Sequence, residues 1–365
     1  MYNTHLKPPL LNKPPQPNPN PFPRLANLEL TQTLSSGITH KTKLGLDIVT
    51  KQKYAVKIFK SNMSSLFTAM IEEEATIHTL LSESHPNILK LEQYIPNGNY
   101  IKKNGTIKNV CALVMEFSEE ENLFEHLQNY GPLAEDAART YFTLLLNSVD
   151  CIHSNGIVHT NLRPENIILS AHQTFKISDF SFARYISTDT ESLNQNRPPQ
   201  AVNYLAPELL INKDSVGFYN DIFSCGVLLF ILVTGYPPFN QACSQDVYFN
   251  LIKRRQFSSF WKQHERQGCN VTRNFKDLIN GMLACEPSER LTLPEITMHP
   301  WVLEADQSSD MISQPVESRN ATRNMHAKGK LIHVPAKKEV SKASERVSQP
   351  RQGAYAMRGI QVLKP

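Results

Sequence analysis

The 365-residue sequence contains no apolar run of the ~18 residues that a bilayer-spanning helix needs. The longest run, Cys225 to Val233 (CGVLLFILV), is too short and reads as a buried core helix. The N-terminal stretch MYNTHLKPPLLNKPPQPNPNPFPR has no charged-then-apolar signal pattern, and its prolines would block a signal helix. The six cysteines, Cys111, Cys151, Cys225, Cys243, Cys269 and Cys285, are scattered without a CxxC pair. Neither a zinc site nor a disulfide framework is suggested, and free thiols in a reducing compartment are expected. No internal repeat is visible. An intracellular chain, most simply cytoplasmic, follows from these absences, with no membrane span.

A strong net charge is also missing. The total is +4. Residues 1–24 carry +3 and residues 305–365 carry +6, which leaves −5 for the body between them. A mildly acidic body with basic ends does not resemble a dedicated nucleic-acid binder, so no nucleic-acid partner is expected.

What is present divides the chain in three. Eight of the 24 prolines fall in residues 1–24, a composition that favours an extended, disordered leader. Residues 25–304 carry the periodic pattern of a folded domain, and residues 305–365 read as a basic disordered tail. Within the domain, YAVKIFK (54–60) alternates like a strand, and NVCALVMEF (109–117) reads as a buried strand. Residues 64–83 have helical spacing, with Met70, Ile77, Leu80 and Leu81 on the expected inner face. NGNYIKKNGTIKN (97–109) reads as a turn-rich loop. Residues 135–156 form an amphipathic helix ending at Gly156, and further helices are expected around 220–234, 245–255, 274–284 and 293–298. The result is an α+β chain with a small strand-rich lobe followed by a larger helical one.

Seven further stretches follow AVKIF in a fixed order: HPNILKL (85–91), LVMEFSEEENLFEHL (113–127), HTNLRPENIIL (159–169), KISDFSFA (176–183), YLAPELL (204–210), YNDIFSCGVLLFILVTGYPPF (219–239) and PSERLTLPEITMHPW (287–301). Jointly these resemble the eukaryotic protein kinases, and most of all the calcium/calmodulin-dependent-kinase-like serine/threonine group, over roughly residues 28–303. The resemblance implies a bilobal fold with ATP and Mg2+ in the cleft, where catalysis is mostly positioning and charge neutralisation.

Position by position, Lys57 matches the strand lysine that holds the nucleotide phosphates. Glu74 matches its helix partner, with Glu73 or Glu72 as alternatives. Asp179 and Asn166 match the metal ligands. Glu116 and Ser118 match the hinge whose backbone holds adenine, with Met115 as gatekeeper and Ala55 and Ile168 lining the adenine pocket. Glu208 and Arg290 match a buried ion pair, and Asp221 matches the aspartate that orients the catalytic loop. His159 matches a packed core residue, and no histidine is expected to hold metal or act as a base.

The departures cluster in the chemistry. Of the glycine-rich loop only Gly37 remains, with Ser35, His40 and Thr42 at its other marked positions. Asn161 stands at the catalytic aspartate position, and Arg163 at the catalytic-loop lysine position. Gln200 and Ala201 replace a glycine and a threonine of the activation segment. Thr160 replaces the arginine that docks an activating phosphate, so phosphorylation of Ser187, Thr188, Thr190 or Ser192 would lack its usual partner. Ser181 replaces the glycine of the D-F-G turn, removing backbone freedom. The expectation is a pseudokinase that acts on protein partners as a scaffold or allosteric regulator, with residual ATP binding. The alternative is a serine/threonine kinase with weak or unusual phosphotransfer.

Overall fold

A computed structural model describes residues 22–60, 64–170, 174–186, 202–212 and 216–304. Nearly all of the proline-rich leader and the whole basic tail lie outside the described residues. So do Ser187, Thr188, Thr190, Ser192, Gln200 and Ala201.

The small lobe is an antiparallel sheet of β1 (Arg24–Leu25), β2 (Leu28–Ser36), β3 (His40–Asp47), β4 (Lys53–Phe59), β5 (Leu91–Ile101) and β6 (Ile107–Glu116), in the order β1-β2-β3-β4-β6-β5. It closes on itself because β1 pairs with both β2 and β5. Alternation builds its two faces. Val110, Ala112 and Val114 of β6 join Leu28, Leu30 and Val56 in one cluster. Leu113 and Met115 join Phe59, Ile71, Ala75 and Leu91 in the other, against α1 (Ser65–Ser84).

Helix α1 starts where the Ser64 side chain accepts from the Phe67 N–H, and it stops at His85, just before Pro86. Met70, Ile77 and Leu81 are buried as the spacing predicts. Leu80 is a correction: it is 39% exposed, because its place on the helix falls beside the inner stripe. The expected loop at 97–109 is also too long. Strand pairing continues through Asn99↔Asn109 to Ile101↔Ile107, so only residues 102–106 turn, with Gly105 at φ 79°. Asn97–Gly98 sits inside β5 at a register shift, where a Cβ on Gly98 would come within 2.7 Å of Leu25.

The large lobe opens with α2 (Leu123–Tyr130), capped reciprocally by Asn122 and Glu125, and α3 (Glu135–Ser154), which ends before Gly156 at φ 69°. Two small sheets follow. β7 (Ile157–Val158) pairs with β10 (Arg184–Tyr185), and β8 (Ile167–Ser170) pairs with β9 (Thr174–Ile177). The remaining helices are α4 (Pro207–Ile211), α5 (Phe218–Thr234), α6 (Val247–Lys253), α7 (Phe257–Glu265), α8 (Arg273–Met282), α9 (Leu293–Thr297) and α10 (Pro300–Leu303). As its apolar run predicts, α5 is the core helix, with every residue from Asn220 to Leu232 buried. Arg290 is wholly buried and binds Glu208 at 2.8 Å, together with the carbonyls of Tyr219 and Ala284. That pair ties α4 to α5 and to the segment before α9. Two main-chain bonds, Leu89 N–H to Ile177 and Ile177 N–H to Asn87, join the lobes.

Helix α7 carries His264, 2% exposed and ringed by Phe230, Tyr248 and Phe260 at 4.5–5.0 Å. Burial pushes its pKa from 6.5 down to about 4, partly opposed by the Pro238 carbonyl. The folded state therefore holds the imidazole neutral. Its contribution to stability is complete above pH 6.5 and is lost as pH falls toward 4, reaching about 2 kcal/mol near pH 5. His264→Phe is expected to flatten the fall in Tm between pH 7 and pH 5, measured by thermal denaturation of both proteins across that range.

Candidate functional site

The site is assembled around a loop held from below. The Asp221 carboxylate, 0% exposed in the core helix α5, accepts from the N–H groups of His159 and Thr160 at 2.8 Å each, and from His153 Nε2 at 3.0 Å. These bonds hold Thr160 in a left-handed conformation, φ 56°, that a β-branched residue rarely adopts. The Thr160 hydroxyl donates to the Phe182 carbonyl at 2.8 Å, fastening the loop to the segment after β9. His159 is a packed core residue, as expected. Its Nδ1 accepts from the Asn161 N–H, Nε2 faces the Ser178 carbonyl, and burial lowers its pKa. Its ring lies 4.9 Å from Phe180, which in turn lies 4.8 Å from His78 of α1. His78 Nε2 is 2.6 Å from the Leu89 carbonyl, so neither imidazole is placed as a base.

Above this loop sits a chain of charge. Register in β4 sets Lys57 opposite Leu113 and Thr42. Its ammonium is 2.6 Å from Glu74 Oε1 and 3.1 Å from Asp179 Oδ1, with Lys57 5% and Glu74 4% exposed at the side chain. Of the three acids open on sequence grounds, Glu74 is the partner. Burial works against the Lys57 charge, but Glu74 and Asp179 overcome it and hold its pKa above the ordinary lysine range. Asp179 lies at φ 63°. Its Oδ1 accepts from Lys57 and, at 2.6 Å, from the Ser181 hydroxyl; its Oδ2 accepts from the Asn161 amide at 3.0 Å. Burial would raise the pKa of Asp179; Lys57 and Ser181 outweigh it and hold the carboxyl well below the usual range. Asn166 donates to the Asn161 carbonyl at 2.8 Å, so both asparagines belong to one network.

Arg163 lines a cavity with Asn161 and Asp179 but is paired within the loop. Its guanidinium donates twice to Glu165 and lies 5.6 Å from the Tyr204 ring. On the hinge side, Ala55 pairs with Met115, and Ile168 packs on the same cluster. Glu116 accepts from the Lys90 N–H and from Lys176 Nζ, and the Ser118 hydroxyl donates to the Leu169 carbonyl, so these side chains brace one lobe on the other. The β2–β3 turn closes tightly: Gly37 N–H donates to the His40 carbonyl, and a Cβ on Gly37 would stand 2.8 Å from the His40 ring. That ring packs edge-on against Phe59, and burial together with Lys57 lowers its pKa to about 4. Gly37, His40, Glu74, Asn161, Arg163 and Asp179 line one cavity of about 260 Å³.

A family model for the protein kinase domain matches residues 28–302. The chain belongs to the protein kinase family. It is 30% identical over 279 residues to CBL-interacting protein kinase 9 of Oryza sativa subsp. japonica, covering 76% of this chain and 57% of that one. It is 29% identical over 278 residues to CBL-interacting serine/threonine-protein kinase 9 of Arabidopsis thaliana, covering 76% and 58%. It is 30% identical over 285 residues to probable serine/threonine-protein kinase MARK-A of Dictyostelium discoideum, covering 78% and 25%. The chain thus spans little more than half the length of the two plant relatives. The β-rich and helical lobes described above are those of the kinase fold.

The kinase fold brings Lys57, Glu74, Asn161, Asn166 and Asp179 together, and sets Ala55, Glu116, Ser118 and Ile168 at the hinge. Three features were not anticipated from sequence: the Asn161–Asp179 bond, the turning of Arg163 toward Glu165 and Tyr204, and the Ser181 hydroxyl on Asp179. Ser181 was expected to matter through lost backbone freedom, yet the left-handed residue of that turn is Asp179. Divalent magnesium takes hard oxygen ligands. Of the two positions that match metal ligands, Asp179 accepts on both oxygens from donors of the chain, and Asn166 donates to the Asn161 carbonyl. Among the described residues no group of three or more His, Cys, Asp or Glu comes together as a metal site. Asn166 is bonded through its amide nitrogen, so Asp179 and Asn166 keep carboxylate and amide oxygens of the kind that fit a divalent cation, with the Asn161 amide standing on one of them. No described helix is long and apolar enough to cross a membrane.

The buried Lys57–Glu74 pair makes a direct stability test. Glu74→Gln keeps the shape but removes the charge facing the ammonium, and is expected to lower unfolding free energy by about 2–3 kcal/mol in denaturant titration.

Proposed function

We propose that this protein is a pseudokinase: a kinase fold, residues 25–304, that acts on protein partners as a scaffold or allosteric regulator, with a nucleotide as its expected small ligand. The observation that carries this reading is the Asn161 amide donating to Asp179. An amide cannot take the proton of a substrate hydroxyl, and base catalysis of that kind is worth ~10²–10⁴-fold, or about 3–5 kcal/mol. Arg163 adds to the deficit, because at the cavity wall its charge is already paired with Glu165. The names of the plant relatives record CBL interaction for those proteins. For this chain the matching proposal is a protein partner within the cell, engaged by the folded domain or by the segments on either side of it.

A second reading, a weak serine/threonine kinase using ATP, is favoured by one observation. The Lys57–Glu74 pair and the Asp221-held loop are fully assembled. The two readings separate in a phosphotransfer assay on the purified full chain with ATP, magnesium and a panel of serine/threonine peptides. The expected outcome is labelling at the no-protein background for the wild type, and no strong recovery in Asn161→Asp alone, because Arg163 stays paired with Glu165. Magnesium-dependent labelling that Asp179→Ala abolishes would overturn the pseudokinase reading.

A further inference from the structure

We propose that the small lobe binds anionic lipid surfaces through the lysine-rich sheet face opposite α1 and the β5–β6 turn beside it. The sheet itself gathers the charge. Register sets Lys41 opposite Ile58 and Lys43 opposite Val56, and residues directly opposite share a face. Both lysines therefore stand on the face that holds Leu28, Val56 and Val110, not on the one packed against α1. Lys108 alternates with Val110 and pairs with Tyr100 on that same face. Lys102 and Lys103 sit in the turn between β5 and β6. This turn stands beyond its neighbours: β1 reaches β5 only at Tyr100 and Ile101, and β4 reaches β6 only from Ala112 onward. None of these lysines lines the cleft cavity.

The lysines gather without acids. Among the described residues, none of them has a carboxylate partner. The six strands β1 to β6 contain four carboxylates, and each is engaged elsewhere. Glu29 pairs with Arg24, Glu92 with Lys90 and Glu116 with Lys176, while Asp47 accepts from the N–H groups of Val49 and Thr50. Lys43 finds only the Thr33 hydroxyl, at 3.4 Å, and burial together with Lys41 and Lys103 lowers its pKa. Like charges collected in this way repel, and an external anion relieves them. All are lysines, whose compact charge suits a field of headgroups better than the bidentate grip by which arginine holds a single carboxylate or phosphate. Apolar side chains accompany them. Ile101 and Ile107 form the last pair of the hairpin, 39% and 61% exposed, and the Phe22 ring lies 5.8 Å from the Lys103 ammonium. A protruding turn with apolar side chains set among lysines is the shape that enters the boundary of headgroups and acyl chains. Residues 1–21, which lead into Phe22, carry Lys7 and Lys13 and no acid, charge of the same sign.

The test is co-sedimentation of the full chain with vesicles of phosphatidylcholine alone and of phosphatidylcholine containing about 30% phosphatidylserine. The expected result is binding to the anionic vesicles only, weakened by about tenfold or more when salt rises from about 0.1 M to about 1 M. Lys43→Gln with Lys103→Gln is expected to weaken binding by about tenfold or more, and Ile107→Ser by about threefold or more. Lys262→Gln with Arg266→Gln removes the same charge from exposed positions of the large lobe, and is expected to bind as wild type within about twofold. Thermal unfolding without lipid checks that the variants fold. The exposed Lys103→Gln alone, expected to lose about threefold, serves if Lys43→Gln disturbs the sheet. Equal binding to both vesicles, or binding to neither, overturns the proposal. So does full binding by the variant lacking Lys43 and Lys103, which would assign the lipid to the basic ends of the chain. A wild type that ignores vesicles but binds a polyglutamate peptide through these lysines overturns it in favour of an acidic protein partner.

Discussion

The contact on which the rest of this molecule depends is the line of charge Glu74–Lys57–Asp179, set between the two lobes. A buried ammonium with one partner removed is costly, so the helix that carries Glu74 and the turn that carries Asp179 must both come to Lys57. That demand fixes α1 against β4 and fixes the start of the segment after β9 beneath the small lobe. The aromatic stack from His78 through Phe180 to His159 then fills the space beside the charges, and Asp221 holds the loop below them. The assembled look of the site follows from these constraints. It does not require that the site perform chemistry.

The charged groups of the site find partners within the chain. Asp179 is met by an ammonium, a hydroxyl and an amide, and Arg163 is met by a carboxylate and a ring. Thr160 makes a fixed bond to the Phe182 carbonyl where the family places an arginine waiting for a phosphate.

Much of this was legible in the sequence, for physical reasons. The strand at Lys57, the helix at Glu74, the buried run from Cys225 and the loop from His159 carry strong periodicity or a dense string of motifs. Helix α7 was not anticipated, because Phe260, Trp261 and His264 find their partners only in tertiary packing. The 97–109 hairpin was underestimated because Asn-Gly pairs signal a turn whether or not the flanking residues pair. Within the site, residue identities were readable but side-chain directions were not. Nothing in the letters at 163, 165 and 204 says that Arg163 turns to Glu165 and Tyr204. Nor does a serine at 181 announce that its hydroxyl, rather than its backbone, is what matters.

The central claim is that Asp179 is satisfied from within the chain by the amide at 161. The most direct measurement is the thermal stability of Asn161→Asp against wild type, without nucleotide, in EDTA and in magnesium. The account predicts that the variant loses about 1–3 kcal/mol in EDTA, as two carboxylates replace an amide–carboxylate bond, and that magnesium restores part of the loss. A variant as stable as wild type in EDTA, with no response to magnesium, would contradict it.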